Sequence, residues 1–264
     1  MSTIAHVAGA GPPVVLLHGL GGAARNWGEV VPLLADRYRV VALDLPGHGG
    51  APSPAGRGLS SFVDAVAAAI EAERAAPALL VGHSFGGHVA ASLAATRPEL
   101  VRGLLLVASS GIGTLTRGAR VVVRASTLVR PGRVPALFSP RLAGRAWFRR
   151  LVFGAFLVSD ADALSAGATH GFLAEVRNHV DTRTAGRAML ADDPRFALGS
   201  IRCPSLVLWG ARDAQLPLDD AFDFTRRLGA RLRVVADCGH LVIGERPDAV
   251  ADALDALHDA SGEA

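Results

Sequence analysis

The sequence contains no lysine, and all 27 of its basic residues are arginine. Cysteine is also scarce: Cys203 and Cys238 are the only two, which excludes a disulfide framework and is typical of a reducing compartment. No apolar run is long enough to span a bilayer, and the first 15 residues lack the basic and apolar regions of a secretory signal. We therefore expect a cytoplasmic protein without stable membrane insertion.

Acidic residues are scarce in one stretch of the chain. Residues 112–198 carry 13 arginines against 6 Asp and Glu, a net charge of +7, whereas the remaining residues carry 14 arginines against 18 acids, a net charge of −4. This segregation predicts that residues 112–198, called the insert below, form a structurally separate unit. Their positive charge would suit anionic ligands or surfaces.

Six short runs of Val, Leu and Ala are nearly continuous rather than alternating in apolarity, and each ends in a polar or glycine-bearing segment. Continuous apolarity predicts burial on both faces, as in a parallel sheet covered by helices. Helical patterns separate the runs, so the sequence predicts an α/β protein with a mostly parallel, doubly wound sheet. The runs are PVVLLHG (13–19), YRVVALDLPGHG (38–49), ALLVGHS (78–84), VRGLLLVAS (101–109), PSLVLWG (204–210) and LRVVADCGH (232–240).

The alternation of strands and helices stops after Ser110. Across the insert the pattern is helical, rich in arginine and without convincing strands. An all-helical insertion between two strands of an open α/β sheet would lie over the carboxyl ends of the strands, where such sheets bind their ligands. We therefore predict a core domain of residues 1–111 and 199–264, with residues 112–198 as a helical cap.

The stretch GHSFG, residues 82–86, interrupts a strand pattern with a serine between glycines. This is the G-x-S-x-G pattern, and it lies between a predicted strand and a predicted helix. The small flanking residues allow a sharp turn that projects the hydroxyl of Ser84 at the edge of the sheet, while the following helix directs free N–H groups at the same point. The pattern predicts a nucleophilic serine.

A serine hydroxyl is a weak nucleophile, so it needs a neighbouring base. Nine histidines are available, and His240 is the favoured one because it follows the last predicted strand and precedes the last helix, at the correct end of the sheet. His83 is next to the serine but should point away from it on such a turn. His18 and His48 lie in glycine-rich loops, where a structural role is expected.

The base in turn needs an acid that orients its ring. Asp213, in LVLWGARD, lies just past a predicted strand and is the favoured acid. Asp44 also ends a strand but lies upstream of the serine, and Asp237 is too close to His240 in sequence to orient its ring comfortably.

Acyl chemistry also needs donors for a developing oxyanion. The glycines of HGLGG, residues 18–22, let backbone N–H groups face inward, so the N–H groups of Leu20 and Phe85 are the predicted pair. This loop has neither the spacing nor the lysine of a phosphate-binding P-loop, which argues against nucleotide binding.

Seven segments together resemble the α/β-hydrolase superfamily, specifically its small capped serine hydrolases, in the order and at the spacing usual for that family. The resemblance implies Ser84 as nucleophile, Asp213 as acid, His240 as base, and Leu20 and Phe85 as oxyanion donors. It further implies an α/β-hydrolase fold with a helical cap inserted after the sixth strand, although the stretch before the first central strand is short and one or two edge strands are expected to be missing. The segments are HGLGG, VVALDLPGHG, GHSFGG, RPELVRGLLLVAS, LVLWGARD, CGHLVIGERP and the tryptophan at position 27.

The expected activity is hydrolysis of a carboxylic ester, or a related acyl bond, of a small and largely apolar substrate through an acyl-enzyme. We expect no cofactor, no metal and no nucleic-acid partner, and the sequence leaves the oligomeric state open.

Three alternative functions remain. One is serine-dependent hydrolysis of a carbon–carbon bond in a vinylogous diketone, with Arg124, Arg145 or Arg177 binding its carboxylate. The others are a biosynthetic acyltransferase or lactonising enzyme, and a small-molecule receptor on a hydrolase scaffold.

Overall fold

A computed structural model of the chain describes residues 3–112, 121, 133–174, 181–191 and 195–262. Seven strands lie within these residues, numbered β1 to β7 in chain order. The six apolar runs account for β2 to β7, so the predicted strands are found, and β1 is additional. The strands are β1 Ile4–Ala8, β2 Pro13–Leu17, β3 Arg39–Leu43, β4 Ala78–His83, β5 Val101–Val107, β6 Ser205–Gly210 and β7 Arg231–Val235.

The strands form one sheet in the order β1-β3-β2-β4-β5-β6-β7. Every pair is parallel except β1 and β3, which run antiparallel. All six residues of β4 are buried, as are four of the five in β2 and in β3, so both faces of the central sheet are covered. The predicted α/β-hydrolase fold, with its mostly parallel sheet, is confirmed.

Eleven helices are described, numbered α1 to α11 in chain order, together with 3₁₀ turns at Ala24–Trp27 and Pro98–Leu100. Helix α3 packs on β4 and β5, and α11 packs on β5 and β6. Five helices, α4 to α8, lie in the insert. The helices are α1 Val31–Leu34, α2 Ser60–Ala72, α3 Phe85–Thr96, α4 Arg133–Leu142, α5 Ala146–Leu157, α6 Ala166–Ala174, α7 Thr182–Ala191, α8 Arg195–Leu198, α9 Leu218–Leu228, α10 Val242–Glu245 and α11 Pro247–Gly262.

Helix ends follow the expected signals at most positions. Helix α3 ends at Thr96, two residues before Pro98, and α9 ends before Gly229, which adopts a left-handed conformation with φ 60°. Helix α2 is an exception, because Leu59 stands at its N-cap position and contributes no side-chain hydrogen bond there. Ser60 and Ser61 are the first two residues of this helix.

The insert follows the fifth strand of the described residues, whereas we expected it after the sixth. The expected count assumed a hairpin before the first central strand. Residues 4–8 instead supply one strand, and that strand pairs at the edge with β3. One edge strand is therefore present before the first central strand, in line with the expectation that one or two would be missing, and the remaining strands keep the predicted order.

Two hydrophobic clusters are present within the described residues. The larger surrounds the sheet, and it includes Trp27 and Trp209 as well as Ala185 and Ala188 of α7. The smaller consists of residues from α4 to α6 and the segment joining α5 to α6, together with Leu241 of the core. The first helices of the insert thus have an apolar centre of their own, and that centre meets the core beside His240.

No helix within the described ranges is both long and apolar enough to cross a bilayer. The two cysteines are free thiols, Cys203 half-buried and Cys238 buried.

Candidate active site

Ser84 lies at the turn between β4 and α3, with φ 52° and ψ −118°. A positive φ is unfavourable for serine, and such strain costs about 1–3 kcal/mol, so the surrounding contacts must hold it. The N–H of Ser84 donates to the carbonyl of Val107 at 3.0 Å, and its carbonyl accepts from the N–H of Ser110 at 3.1 Å. These bonds fix the turn to the end of β5.

Two glycines are required for this turn by close backbone approach. A Cβ on Gly82 would lie 2.4 Å from the carbonyl oxygen of Gly86, and a Cβ on Gly86 would lie 2.3 Å from the carbonyl oxygen of Leu17. The G-x-S-x-G pattern therefore forms a sharp turn between strand and helix, and the backbone of this turn touches the neighbouring strand β2.

His240 connects Ser84 to Asp213. Its Nε2 is 3.1 Å from the Ser84 hydroxyl, and its Nδ1 is 2.8 Å from Oδ2 of Asp213. The side chains of His240 and Asp213 are nearly inaccessible to solvent, with 5% and 1% exposed. The three residues predicted from distant parts of the sequence are therefore brought together in one hydrogen-bonded line.

The partners of Asp213 determine which ring nitrogen of His240 carries the proton. Oδ1 of Asp213 accepts hydrogen bonds from the backbone N–H groups of Gln215 and Leu216, at 2.8 and 2.9 Å. Two N–H donors on one oxygen favour an ionised carboxylate, whose other oxygen can only accept. His240 must then donate from Nδ1, which leaves Nε2 free to accept the proton of Ser84.

The other candidate acids contact different partners. The carboxylate of Asp44 accepts from the N–H groups of Ala24 and Gly50, both at 2.8 Å, and so holds two loops together. Asp237 forms an exposed ion pair with Arg212 at 2.8 Å.

The HGLGG loop lies against Ser84. A Cβ built on Gly19 would be 3.1 Å from Cβ of Ser84, and the N–H of Gly22 donates to the carbonyl of Gly19 at 3.0 Å to close a tight turn. Leu20 lies inside this turn, and Phe85 is the first residue of α3. Both N–H groups predicted as oxyanion donors are therefore on backbone that adjoins Ser84.

Glu245 is a buried carboxylate that sequence reasoning missed. Its Oε1 accepts from the N–H groups of Ser159 and Asp160, at 2.8 and 2.9 Å, and its Oε2 accepts from the N–H of Gly239 at 2.8 Å. Burial raises the pKa of Glu245, although the backbone donors oppose this shift. The signal in the sequence was an acidic residue within the apolar segment LVIGERP.

The loop that carries His240, residues 236–241, is called the base loop. It is bonded to the insert as well as to the core: the N–H groups of His240 and Leu241 both donate to the carbonyl of Leu157, at 3.0 and 3.1 Å. Glu245 adds the bonds from Gly239 and from the insert residues described above. The position of His240 is thus connected to the last turn of α5.

The arginines considered for an anionic substrate are only partly described. Arg145 is exposed and precedes the first residue of α5, whereas Arg124 and Arg177 lie outside the described residues. Within the described part of the chain, no group of three or more His, Cys, Asp or Glu side chains is arranged to hold a metal ion.

A sequence model described as the alpha/beta hydrolase family matches residues 14–253 of the chain. A dihydrolipoyllysine-residue acetyltransferase component of an acetoin cleaving system from Pseudomonas putida is 32% identical over 247 residues, which are 91% of this chain. The chain spans only 61% of that relative's length.

Two further similarities cover most of both proteins. A pimeloyl-[acyl-carrier protein] methyl ester esterase from Chromobacterium violaceum is 31% identical over 224 residues, covering 83% of this chain and 82% of the relative. The solved structure of 2-hydroxy-6-oxo-6-phenylhexa-2,4-dienoate hydrolase from Rhodococcus sp. strain RHA1 superposes with a TM-score of 0.74 at 25% identity, covering 96% of this chain and 93% of that one.

Proposed function

The chain belongs to the alpha/beta hydrolase family, and we propose that it is a serine hydrolase that cleaves a carboxylic ester or related acyl bond of a small, largely apolar substrate. The observation that carries the proposal is the hydrogen-bonded line from Asp213 through His240 to Ser84. The similarity to the Chromobacterium violaceum esterase supports the ester as substrate class.

In the first half of the reaction, Ser84 Oγ attacks the carbonyl carbon of the substrate while Nε2 of His240 takes the hydroxyl proton. Asp213 stabilises the imidazolium that forms and remains ionised. The negative charge moves to the carbonyl oxygen, where the N–H groups of Leu20 and Phe85 donate to it; removal of one such donor typically costs about 10²–10³ in rate. His240 then protonates the leaving alcohol, and the acyl group stays on Ser84.

In the second half, His240 takes a proton from water, and the resulting hydroxide adds to the acyl carbon. The same two N–H groups bind the second oxyanion, and the intermediate collapses as His240 returns the proton to Ser84 Oγ. The carboxylic acid is released, and the enzyme regains its starting protonation state.

We propose that the insert, residues 112–198, is the cap of this site and that residues 1–111 and 199–264 form the catalytic core. Support comes from the separate apolar cluster of α4 to α6, which reaches Leu241 directly beside the base. The apolar side chains of this cluster favour an apolar acyl or alcohol group in the substrate.

The test is Ser84→Ala combined with labelling by a fluorophosphonate, which reacts with an activated serine. The wild-type protein should be labelled and should hydrolyse a series of p-nitrophenyl esters, with chain length setting the preference. Ser84→Ala should lose both properties and still fold, and Ser109→Ala, two residues after the end of β5, should remain labelled. Full ester turnover by Ser84→Ala would contradict the proposal.

Hydrolysis of a carbon–carbon bond is the second candidate, because the Rhodococcus structure is named for a 2-hydroxy-6-oxo-dienoate substrate. The same serine, base and acid would serve, and the exposed Arg145 is an available partner for a substrate carboxylate. Parallel assays against a ring-fission product of this class and a short p-nitrophenyl ester would separate the candidates by their kcat/KM values. Product analysis with an added alcohol would detect acyl transfer in place of hydrolysis.

A further inference from the structure

His83, the residue before the nucleophile, contacts the two other loops of the site. Its Nε2 is 3.0 Å from the backbone carbonyl oxygen of His240, and the two imidazole rings are 5.0 Å apart between centroids. On another side of the ring, a Cβ built on Gly19 would lie 3.2 Å from Nδ1 of His83. The side chain is buried, with 3% of the residue exposed. One ring therefore touches the base loop and the loop of the proposed oxyanion donors.

The partner of Nε2 fixes the form of the ring. A carbonyl oxygen only accepts hydrogen bonds, so Nε2 of His83 must carry the proton and donate it to His240. Burial, followed by the influence of the neighbouring His240, lowers the pKa of His83 to about 3. The hydrogen bond to a carbonyl and the lowered pKa both favour the neutral form of His83. A neutral ring matters because a second positive charge 5.0 Å away would oppose formation of the His240 imidazolium.

The backbone of His240 is held on both sides of the residue. Its N–H donates to the carbonyl of Leu157 in the insert at 3.0 Å, and its own carbonyl accepts from His83. The donor to the His240 carbonyl, His83, directly precedes Ser84 in the chain. Nucleophile and base are therefore joined by a second connection, in addition to the bond between their side chains.

We infer that His83 is a positioning residue for the base: as a neutral donor to the His240 carbonyl, it sets the imidazole at bonding distance from Ser84. The inference rests on the proposed function, in which His240 is the base. Loss of this bond would let the base loop shift relative to the serine. A displacement of about 1 Å in a catalytic group can cost about 10²-fold in rate, while substrate binding through the insert would be little affected.

The test compares His83→Leu with His83→Gln. Leucine fills much of the volume but has no donor, whereas the Nε2 amide of glutamine can donate to the same carbonyl without charge. We expect His83→Leu to lower kcat about 10- to 100-fold with KM changed less than about threefold, and His83→Gln to retain at least about a third of wild-type kcat. The rate of fluorophosphonate labelling should follow kcat in both variants.

A spectroscopic measurement separates positioning from general damage to the fold. The proton on His240 Nδ1, bonded to Asp213, should give a downfield proton NMR resonance that is sharp in the wild type and in His83→Gln, and broadened or lost in His83→Leu. His258→Leu is the control, because it removes a partly buried histidine far from the site, whose Nδ1 lies 2.9 Å from the guanidinium of Arg102. It should leave both kcat and the resonance unchanged.

Wild-type kcat and an unchanged resonance in His83→Leu would overturn the inference, and so would equal losses in both His83 variants with a matching fall in melting temperature. The proposed function fails by a different result, namely turnover by Ser84→Ala. In that case the effect of His83 on the His240 resonance would still be measurable.

Discussion

Gly86 lies so close to Leu17 that a methyl group at position 86 would sit 2.3 Å from the Leu17 carbonyl oxygen. That oxygen belongs to the last residue of β2, so the turn that carries Ser84 is packed directly on a neighbouring strand of the sheet. The distance is shorter than any relaxed contact, and the backbone of the turn would have to move to accept a side chain.

Gly86→Ala should therefore displace the nucleophile. We expect a loss of about 1–3 kcal/mol in the free energy of unfolding from overpacking and a fall of about 10²-fold in kcat per folded molecule. Thermal unfolding and labelling by a fluorophosphonate measure the two effects. Gly144→Ala, at a position where a Cβ meets nothing within 4 Å, is the control and should be neutral. Unaltered labelling of Gly86→Ala would show that the turn tolerates the shift.

Asp213→Asn tests the assignment of the acid. The asparagine amide would place a donor opposite Nδ1 of His240 and favour the wrong tautomer, so kcat should fall by about 10³–10⁴ while folding persists. Asp237→Asn is the matched control, because Asp237 pairs with Arg212 at the surface and should be dispensable for turnover. A comparable loss in Asp237→Asn, with Asp213→Asn active, would reverse the assignment.

Glu245→Gln tests the connection between the base loop and the insert. The carboxylate accepts three backbone N–H groups, and an amide would direct its own N–H₂ at one or more of them. We expect the free energy of unfolding to fall by about 1–3 kcal/mol, since buried donors lose their acceptor. Chemical denaturation checks this value. A lower kcat is also expected, because Gly239 precedes the base, and Glu71→Gln on the surface should show neither effect.

The pH dependence of stability should include a contribution from Asp220, a buried residue of α9. Burial, followed by the nearby charges of Asp223, Asp219 and Asp213, raises the pKa of Asp220 to about 6 from 3.8. The folded state therefore holds this proton more tightly than the unfolded state. The contribution of Asp220 to the free energy of unfolding is therefore at its full value below about pH 4. It falls as the pH rises to about 6, and it stays reduced above that pH.

Asp220→Asn should remove this loss of stability at high pH, because asparagine does not ionise. At pH 7 to 8 the variant is expected to be more stable than the wild type by about 1–3 kcal/mol, and the difference should vanish near pH 4. Urea denaturation at several pH values measures it. Asp64→Asn, at an exposed position of α2, provides a control for removal of a negative charge. A constant difference across the pH range would contradict the assignment to Asp220.

Much of the fold could be predicted because its central strands are apolar on both faces. β2, β3, β4 and β5 stand out as continuous Val, Leu and Ala runs because helices cover both sides of the sheet. β1 was missed for the opposite reason. It lies at the edge of the sheet, pairs on one side only, and three of its residues are exposed, so its sequence IAHVA has no apolar continuity.

The residues of the candidate site likewise fall into those that the sequence could predict and those that it could not. Ser84, Asp213 and His240 each follow a strand at the carboxyl edge of the sheet, so their residue types and positions could be recognised before any coordinate was known. Glu245 and His83 could not, because their roles depend on backbone groups far away in the sequence. A hydrogen bond from Ser159 to Glu245, or from His83 to the carbonyl of His240, leaves no periodic pattern.

The sequence by itself determined the parallel sheet and the three chemical groups at its edge, because burial and sharp turns restrict which residues can occur locally. Only the tertiary structure decided which groups hold the base in place and how the insert is joined to it. Each of those contacts involves at least one main-chain atom, which every residue possesses, so the path of the folded chain decides which partners meet.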